Sequence, residues 1–150
     1  MRFVLALLTL LAATSYAAAQ EVPVEVSADS FELDDQQKHA TFTGNVVITR
    51  DTLTIWANRV VITYGAGGQT DIDSLTASGS VRIKMPDQEA TGGEVTYNPD
   101  TQVVRLSDNV VVSNAQGKLS GPELVIDLKT NQSTFTGGAN GRVTGVFTPQ

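Results

Sequence analysis

Phe42-Thr43-Gly44-Asn45-Val46-Val47-Ile48 decides the fold, because this stretch keeps returning along the chain. It reappears 35 residues later as Ala77-Ser78-Gly79-Ser80-Val81-Arg82-Ile83, and 29 residues after that as Leu106-Ser107-Asp108-Asn109-Val110-Val111-Val112. A shorter echo, Phe135-Thr136-Gly137-Gly138, follows after another 29. A second block repeats independently: Ala28-Asp29-Ser30-Phe31-Glu32-Leu33, Ala57-Asn58-Arg59-Val60-Val61-Ile62, Gly92-Gly93-Glu94-Val95-Thr96-Tyr97 and Gly121-Pro122-Glu123-Leu124-Val125-Ile126, spaced by 29, 35 and 29. One repeat of 29 residues with a single six-residue insertion between Tyr64 and Leu75 accounts for both series. Gly65-Ala66-Gly67-Gly68-Gln69-Thr70 is the natural insertion. A fixed period of this length is the mark of a stacked architecture in which each unit covers its neighbour.

Within each repeat, apolar and polar residues alternate with a period of two, and Val, Ile, Thr and aromatics are frequent. That is the pattern of half-buried strands. Turns recur at equivalent places: Asp34-Asp35-Gln36-Gln37-Lys38, Asn98-Pro99-Asp100-Thr101-Gln102 and Asp127-Leu128-Lys129-Thr130-Asn131. An Asn or Asp that opens such a turn bonds the backbone two residues on, and Pro99 fixes φ. No stretch beyond residue 19 keeps helical spacing. The chain reads as all-β, repetitive and antiparallel.

The alternation also selects a face. One parity collects Phe31, Leu33, Phe42, Val46, Ile48 and Ile55, then Val60, Ile62, Leu75, Ala77, Val81, Ile83 and Ala90. It continues through Val95, Tyr97, Val104, Leu106, Val110, Val112 and Leu119 to Leu124 and Ile126. The other parity is mostly polar, with Asp29, Thr43, Arg59, Lys84, Glu94 and Arg105, although Val47, Val61, Val111 and Val125 depart from it. Stacked repeats therefore lay one apolar stripe along the molecule. A closed core accounts for such a stripe, and so does a trough in a slightly opened stack.

Composition narrows the compartment and the chemistry. Met1-Arg2, the apolar run Phe3 to Ala13 and Ala17-Ala18-Ala19 form the pattern of a cleavable export signal over residues 1–19, leaving one domain at 20–150. The alternative, an uncleaved anchor, is disfavoured because a membrane helix needs about 20 apolar residues. Ten basic residues against 16 acidic ones give a net charge of −6, so nucleic acid is an unsuitable partner. There is no cysteine, and stability must come from strand pairing and apolar burial. His39 stands alone, without a second histidine to share a metal site. Asp71 and Asp73 in the insertion lack a third ligand for calcium. The glycines at 65–68 lack the Lys and Ser/Thr of a phosphate loop. No nucleophile has a base in prospect, so neither an enzyme nor a cofactor is expected.

The export signal, Ala28-Asp29-Ser30, Phe42-Thr43-Gly44-Asn45-Val46 with its echoes, and the recurrent Gly/Ala-x-x-apolar-x-apolar block resemble the OstA-like (LptA) family of periplasmic lipopolysaccharide-transport proteins. The likeness covers residues 21–147. It implies a V-shaped antiparallel β-jellyroll, open at both ends, whose modules join head to tail. It implies a bridge between an LptC-like inner-membrane component and an LptD-like outer-membrane translocon, with lipopolysaccharide acyl chains carried inside. The groove residues it implies are Phe31, Leu33, Phe42, Val46, Ile48, Ile55, Ile62, Val81, Ile83, Tyr97, Leu106, Val110, Val112, Leu124 and Ile126. An open first or last strand is a ready template for the next module, and Pro23 and Pro149 limit how far that pairing runs. Two other readings remain at this point: an LptC-like member of the same system, and a structural or adhesive β-solenoid that binds no lipid.

Overall fold

The computed structural model describes residues 23–68, 70–138 and 141–149. The export signal read at 1–19 lies outside the described residues.

Among the described residues, ten strands follow one another in chain order: β1 (Glu25–Ser27), β2 (Ser30–Asp34), β3 (His39–Arg50), β4 (Leu53–Tyr64), β5 (Ile72–Lys84), β6 (Gln88–Asn98), β7 (Val103–Asn114), β8 (Gly117–Asp127), β9 (Gln132–Thr136) and β10 (Thr144–Phe147). They form a single antiparallel sheet, with β3 to β8 as a meander. β1 and β2 lie in succession along β3, and β9 and β10 along β8. Both outer edges of the sheet therefore stay open.

The turns that join these strands are built as their residues require. Asp34 Oδ1 accepts hydrogen bonds from the N–H groups of Gln36 and Gln37 at 3.0 and 2.9 Å. Asn98 Oδ1 does the same for Asp100 and Thr101 at 2.9 and 3.1 Å, and Asp127 Oδ1 for Lys129 and Thr130 at 2.9 and 3.2 Å. Each of these turns closes through a left-handed residue, Lys38, Gln102 and Asn131 respectively. The insertion folds back on itself instead: Gly65 N–H donates to Asp71 O at 2.7 Å, and Gly67 N–H to Asp71 Oδ2 at 3.1 Å. Asp71 is thus the cap of its own loop.

What the alternation did not show is that every long strand is bent at its middle. Gly44-Asn45 on β3, Gly79-Ser80 on β5 and Asp108-Asn109 on β7 are consecutive residues with positive φ. Each pair inserts a bulge, and the register shifts there across all five ladders between β3 and β8. A bulge bends its strand and sharpens its twist, so aligned bulges crease the whole sheet into a V with two arms. The first arm carries β2 and β9, and the second carries β1 and β10. On the intervening strands the inward parity switches at Asn58-Arg59, Gly93-Glu94 and Pro122-Glu123.

The core fills the angle of the V. Val46, Ile48, Ala57, Val81, Ile83, Ala90 and Val110 from the second arm meet Val60, Ala77, Val95, Leu106 and Leu124 from the first. No buried residue among those described is polar or charged. Small residues recur on the inside of the crease because the strands approach closely there. A Cβ on Gly92 would stand 3.1 Å from the carbonyl oxygen of Ser107.

Candidate functional site

An apolar inner wall runs through this fold, and the fifteen groove residues read from the sequence occupy three different places on it. Val46, Ile48, Val81, Ile83, Leu106, Val110 and Leu124 are buried where the arms meet. Phe42, Ile55, Ile62, Val112 and Ile126 are half-buried and pack against that cluster. Tyr97 is also half-buried. Phe31 and Leu33 are exposed, at 57% and 38%, because β2 is an edge strand with nothing beyond it. The middle of the V is thus closed by side-chain contact, and the inner wall is accessible toward its two ends.

At the β2 end, the rings of Phe31 and Phe42 lie 4.8 Å apart and inclined by 42°. They face each other across the β2–β3 ladder. Such a tilted pair adds to plain burial. At the β8–β10 end the arms stay parted, and a recess of about 230 Å³ opens between them. The second arm contributes Met85, Ala90, Val112 and Leu119 to its wall, and the first contributes Leu124, Ile126 and Phe135. Phe147 of β10 stands over its mouth, and Gln88, Asn114, Lys118 and Ser133 supply the polar rim.

Residues the alternation passed over belong to this wall. Ala57 is buried, and Leu53, Met85 and Phe135 pack against the core. Leu53 and Ala57 keep the period of two set by Ile55, and the inward parity switches only after them, at Asn58-Arg59. Phe135 and Phe147 lie in repeats too degenerate to align fully, although the Phe135-Thr136-Gly137-Gly138 echo already marked the former.

Charge stays outside. Arg82 pairs with Glu89 at 2.6 Å while its guanidinium sits 4.9 Å from the Trp56 ring. Arg105 pairs with Glu123 at 2.5 Å. Both pairs are half-exposed and contribute little to stability. Larger hollows lie on the exterior, one of about 780 Å³ beside the turn at Met85–Gln88 and one of about 550 Å³ along the outer crease near Asp108 and Arg142. The first is lined largely by polar residues around two turns, and the second by Asp108–Val111 of β7 and Ser120–Pro122 of β8 together with Gly141 and Arg142. Among the described residues, no three of His, Cys, Asp and Glu converge as a metal site.

Tyr64 fastens the opposite end of the first arm. Its ring is buried, and its hydroxyl donates to Asp35 Oδ1 at 2.8 Å. Burial raises its pKa above the ordinary phenol value, helped by the hydrogen bond to Asp35 and by the charges of Asp35 and Asp34.

An open-ended β-jellyroll, creased into a V and lined with apolar side chains, is the class that this geometry defines. A family model described as "LptA/(LptD N-terminal domain) LPS transport protein" matches residues 25–132, and the chain belongs to that family. The lipopolysaccharide export system protein LptA of Haemophilus influenzae is 28% identical, with 97% of this chain and 89% of the relative covered. LptH of Pseudomonas aeruginosa, also a lipopolysaccharide export system protein, is 31% identical over 81% of this chain and 72% of its own. The crystal structure of LptH, the LptA-homologous periplasmic component of the lipopolysaccharide transport device of that organism, superposes with a TM-score of 0.71 at 26% identity. It covers 86% of this chain and 97% of the other. Among the described residues, no helix is long and apolar enough to cross a membrane.

Proposed function

We propose that this chain is a non-enzymatic periplasmic carrier that shields the acyl chains of lipopolysaccharide between the two arms of the V. The observation that carries this reading is an apolar inner wall with no buried charge among the described residues, closed in the middle and accessible toward both ends. Each CH₂ withdrawn from water contributes about 0.8 kcal/mol. A few acyl chains therefore outweigh any single polar contact, and they supply the free energy needed to part the arms. The sugars and phosphates stay in solvent, because a net charge of −6 repels anionic groups and leaves no clamp to hinder passage.

Residues 1–19 direct export and are then removed. The two open sheet edges then let one module add to the next head to tail, with an LptC-like component at the inner membrane and an LptD-like translocon at the outer one. Strand addition satisfies the unpaired backbone groups at each edge.

Ile126 provides the test. It is half-buried, so Ile126→Asp places a carboxylate at the recess wall without burying it in the core. The variant should keep its β-sheet circular dichroism and lose the ability of added lipopolysaccharide to displace a bound hydrophobic fluorophore. Normal displacement by a folded Ile126→Asp protein would refute the groove. In Val110→Asp, by contrast, the charge enters a site with 0% exposure and should unfold the chain.

A further inference from the structure

We infer that Phe147 is a gate over the recess at the β8–β10 end, and that the recess takes the end of one alkyl chain. This rests on the reading of the inner wall as a lipid site. The register places Phe147 opposite Gly117, and Gly145 opposite Leu119, so Phe147 and Gly145 share the inward parity of Leu119. An aromatic ring that faces inward would ordinarily be covered. This one is 66% exposed, because β10 is the last strand on its arm.

The ring lies in a slot that two glycines provide. A Cβ added to Gly145 would stand 2.8 Å from the Phe147 ring, and a Cβ added to Gly117 would stand 2.9 Å from it. Both positions have ordinary φ, so backbone strain does not demand glycine at either. At Gly145 the absent Cβ leaves clearance for the ring, whereas a Cβ on Gly117 would first meet the Val146 carbonyl oxygen, so Gly117 clears the β10 backbone as well as the ring. The backbone of β10 is held by its ladder to Gly117–Ser120, and the Thr148 N–H donates to Gln116 O at 2.9 Å. Opening is therefore a rotation of the Phe147 side chain out of its slot, with the strand left in place. Exposed side chains change rotamer in picoseconds to nanoseconds, and partial packing slows such a step.

Volume sets the occupant. Pockets that enclose a drug-sized ligand run from about 300 to 1,000 Å³. At about 230 Å³ the recess is too small for a multi-chain lipid. Its wall of Met85, Val112, Leu119, Ile126 and Phe135 is apolar, and the charged side chain of its lining, Lys118, stands at the rim. A single alkyl tail fits both its size and its chemistry, with its head left at the polar rim.

The experiment is stopped-flow uptake and release of a pyrene-labelled fatty acid by the full chain and two variants, Phe147→Ala and Gly145→Ala. Phe147→Ala removes the ring, whereas Gly145→Ala keeps it and drives it from its slot. Both should exchange the probe about tenfold faster than the unaltered protein, equivalent to ~1.4 kcal/mol of barrier. Binding by a variant with none by the unaltered protein would also support a closed gate. Equal exchange rates in all three would overturn the gate and leave the groove standing. Absence of binding in all three would overturn both. The exposure of Phe147 and the ordinary φ of Gly145 keep these variants folded, which circular dichroism checks.

Discussion

Tyr64 shows how one side chain ties the turn of one repeat to the strand of the next. Its hydroxyl reaches back to Asp35 while its N–H donates to Lys38 O at 3.0 Å. The Lys38 ammonium stands 5.9 Å from its ring. Its raised pKa sets the sign of a pH effect. Between the ordinary phenol value and the raised one, the unfolded chain has lost the proton that the folded chain keeps, so stability falls as pH rises. The contribution is complete below about pH 10 and disappears above it. Thermal unfolding of Tyr64→Phe should show a weaker decline of Tm on the alkaline side than the unaltered protein. Parallel declines would mean that the Asp35 bond does not hold in solution. Tyr64 was not legible as an inward residue, since the insertion that follows it interrupts the repeat.

At the scale of the strand, the crease is built from facing pairs in which one member is glycine. Position 29 of the first repeat faces position 44, and its equivalents 58 and 93 face 79 and 108. A Cβ on Gly44 would meet the Asp29 carboxylate at 2.5 Å, and one on Gly79 would meet the Asn58 Cβ at 2.7 Å. In the third pair the roles are exchanged: Gly93 lies opposite Asp108, whose Cβ would stand 2.6 Å from a Cβ on Gly93. Asp108 therefore tolerates its φ of 67° where the other repeats use glycine. Gly93→Asn alone should destabilise by about 1–3 kcal/mol, the range for overpacking. Adding Asp108→Gly recreates the Asn58–Gly79 arrangement and should restore most of the loss, a coupling within the ~0.5–3 kcal/mol typical of contacting residues. Urea midpoints of the two single variants and the double variant measure it. Additive effects would mean that the pair is not a unit.

For the whole molecule, the question is how the two open edges are used. β10 is exposed along its whole length, with Val146 at 63%, so its contribution to the core is small. Deleting residues 142–150 should leave the sheet intact and weaken head-to-tail association. Light scattering across a concentration series would then give a lower mean mass than for the full chain. Unchanged association would place the contact on another edge or face. The same deletion removes the ring above the recess, so exchange of an alkyl probe should quicken with it.

The sequence by itself determined the repeat, the all-β character, the turns and most of the side chains that face inward, because those are local properties. A 29-residue period and a two-residue alternation are fixed by neighbours along the chain. Asp34, Asn98 and Asp127 cap their turns through bonds only two or three residues long in sequence. Only the tertiary structure decided which inward residues are sealed and which stay open. Val110 and Val112 look alike in the pattern, yet the first lies at the crease where the arms touch and the second where they part. That difference depends on the angle of the V, and the angle is set jointly by bulges on three separate strands. No single stretch of chain contains that information, because it arises only when the bulges stack across the sheet.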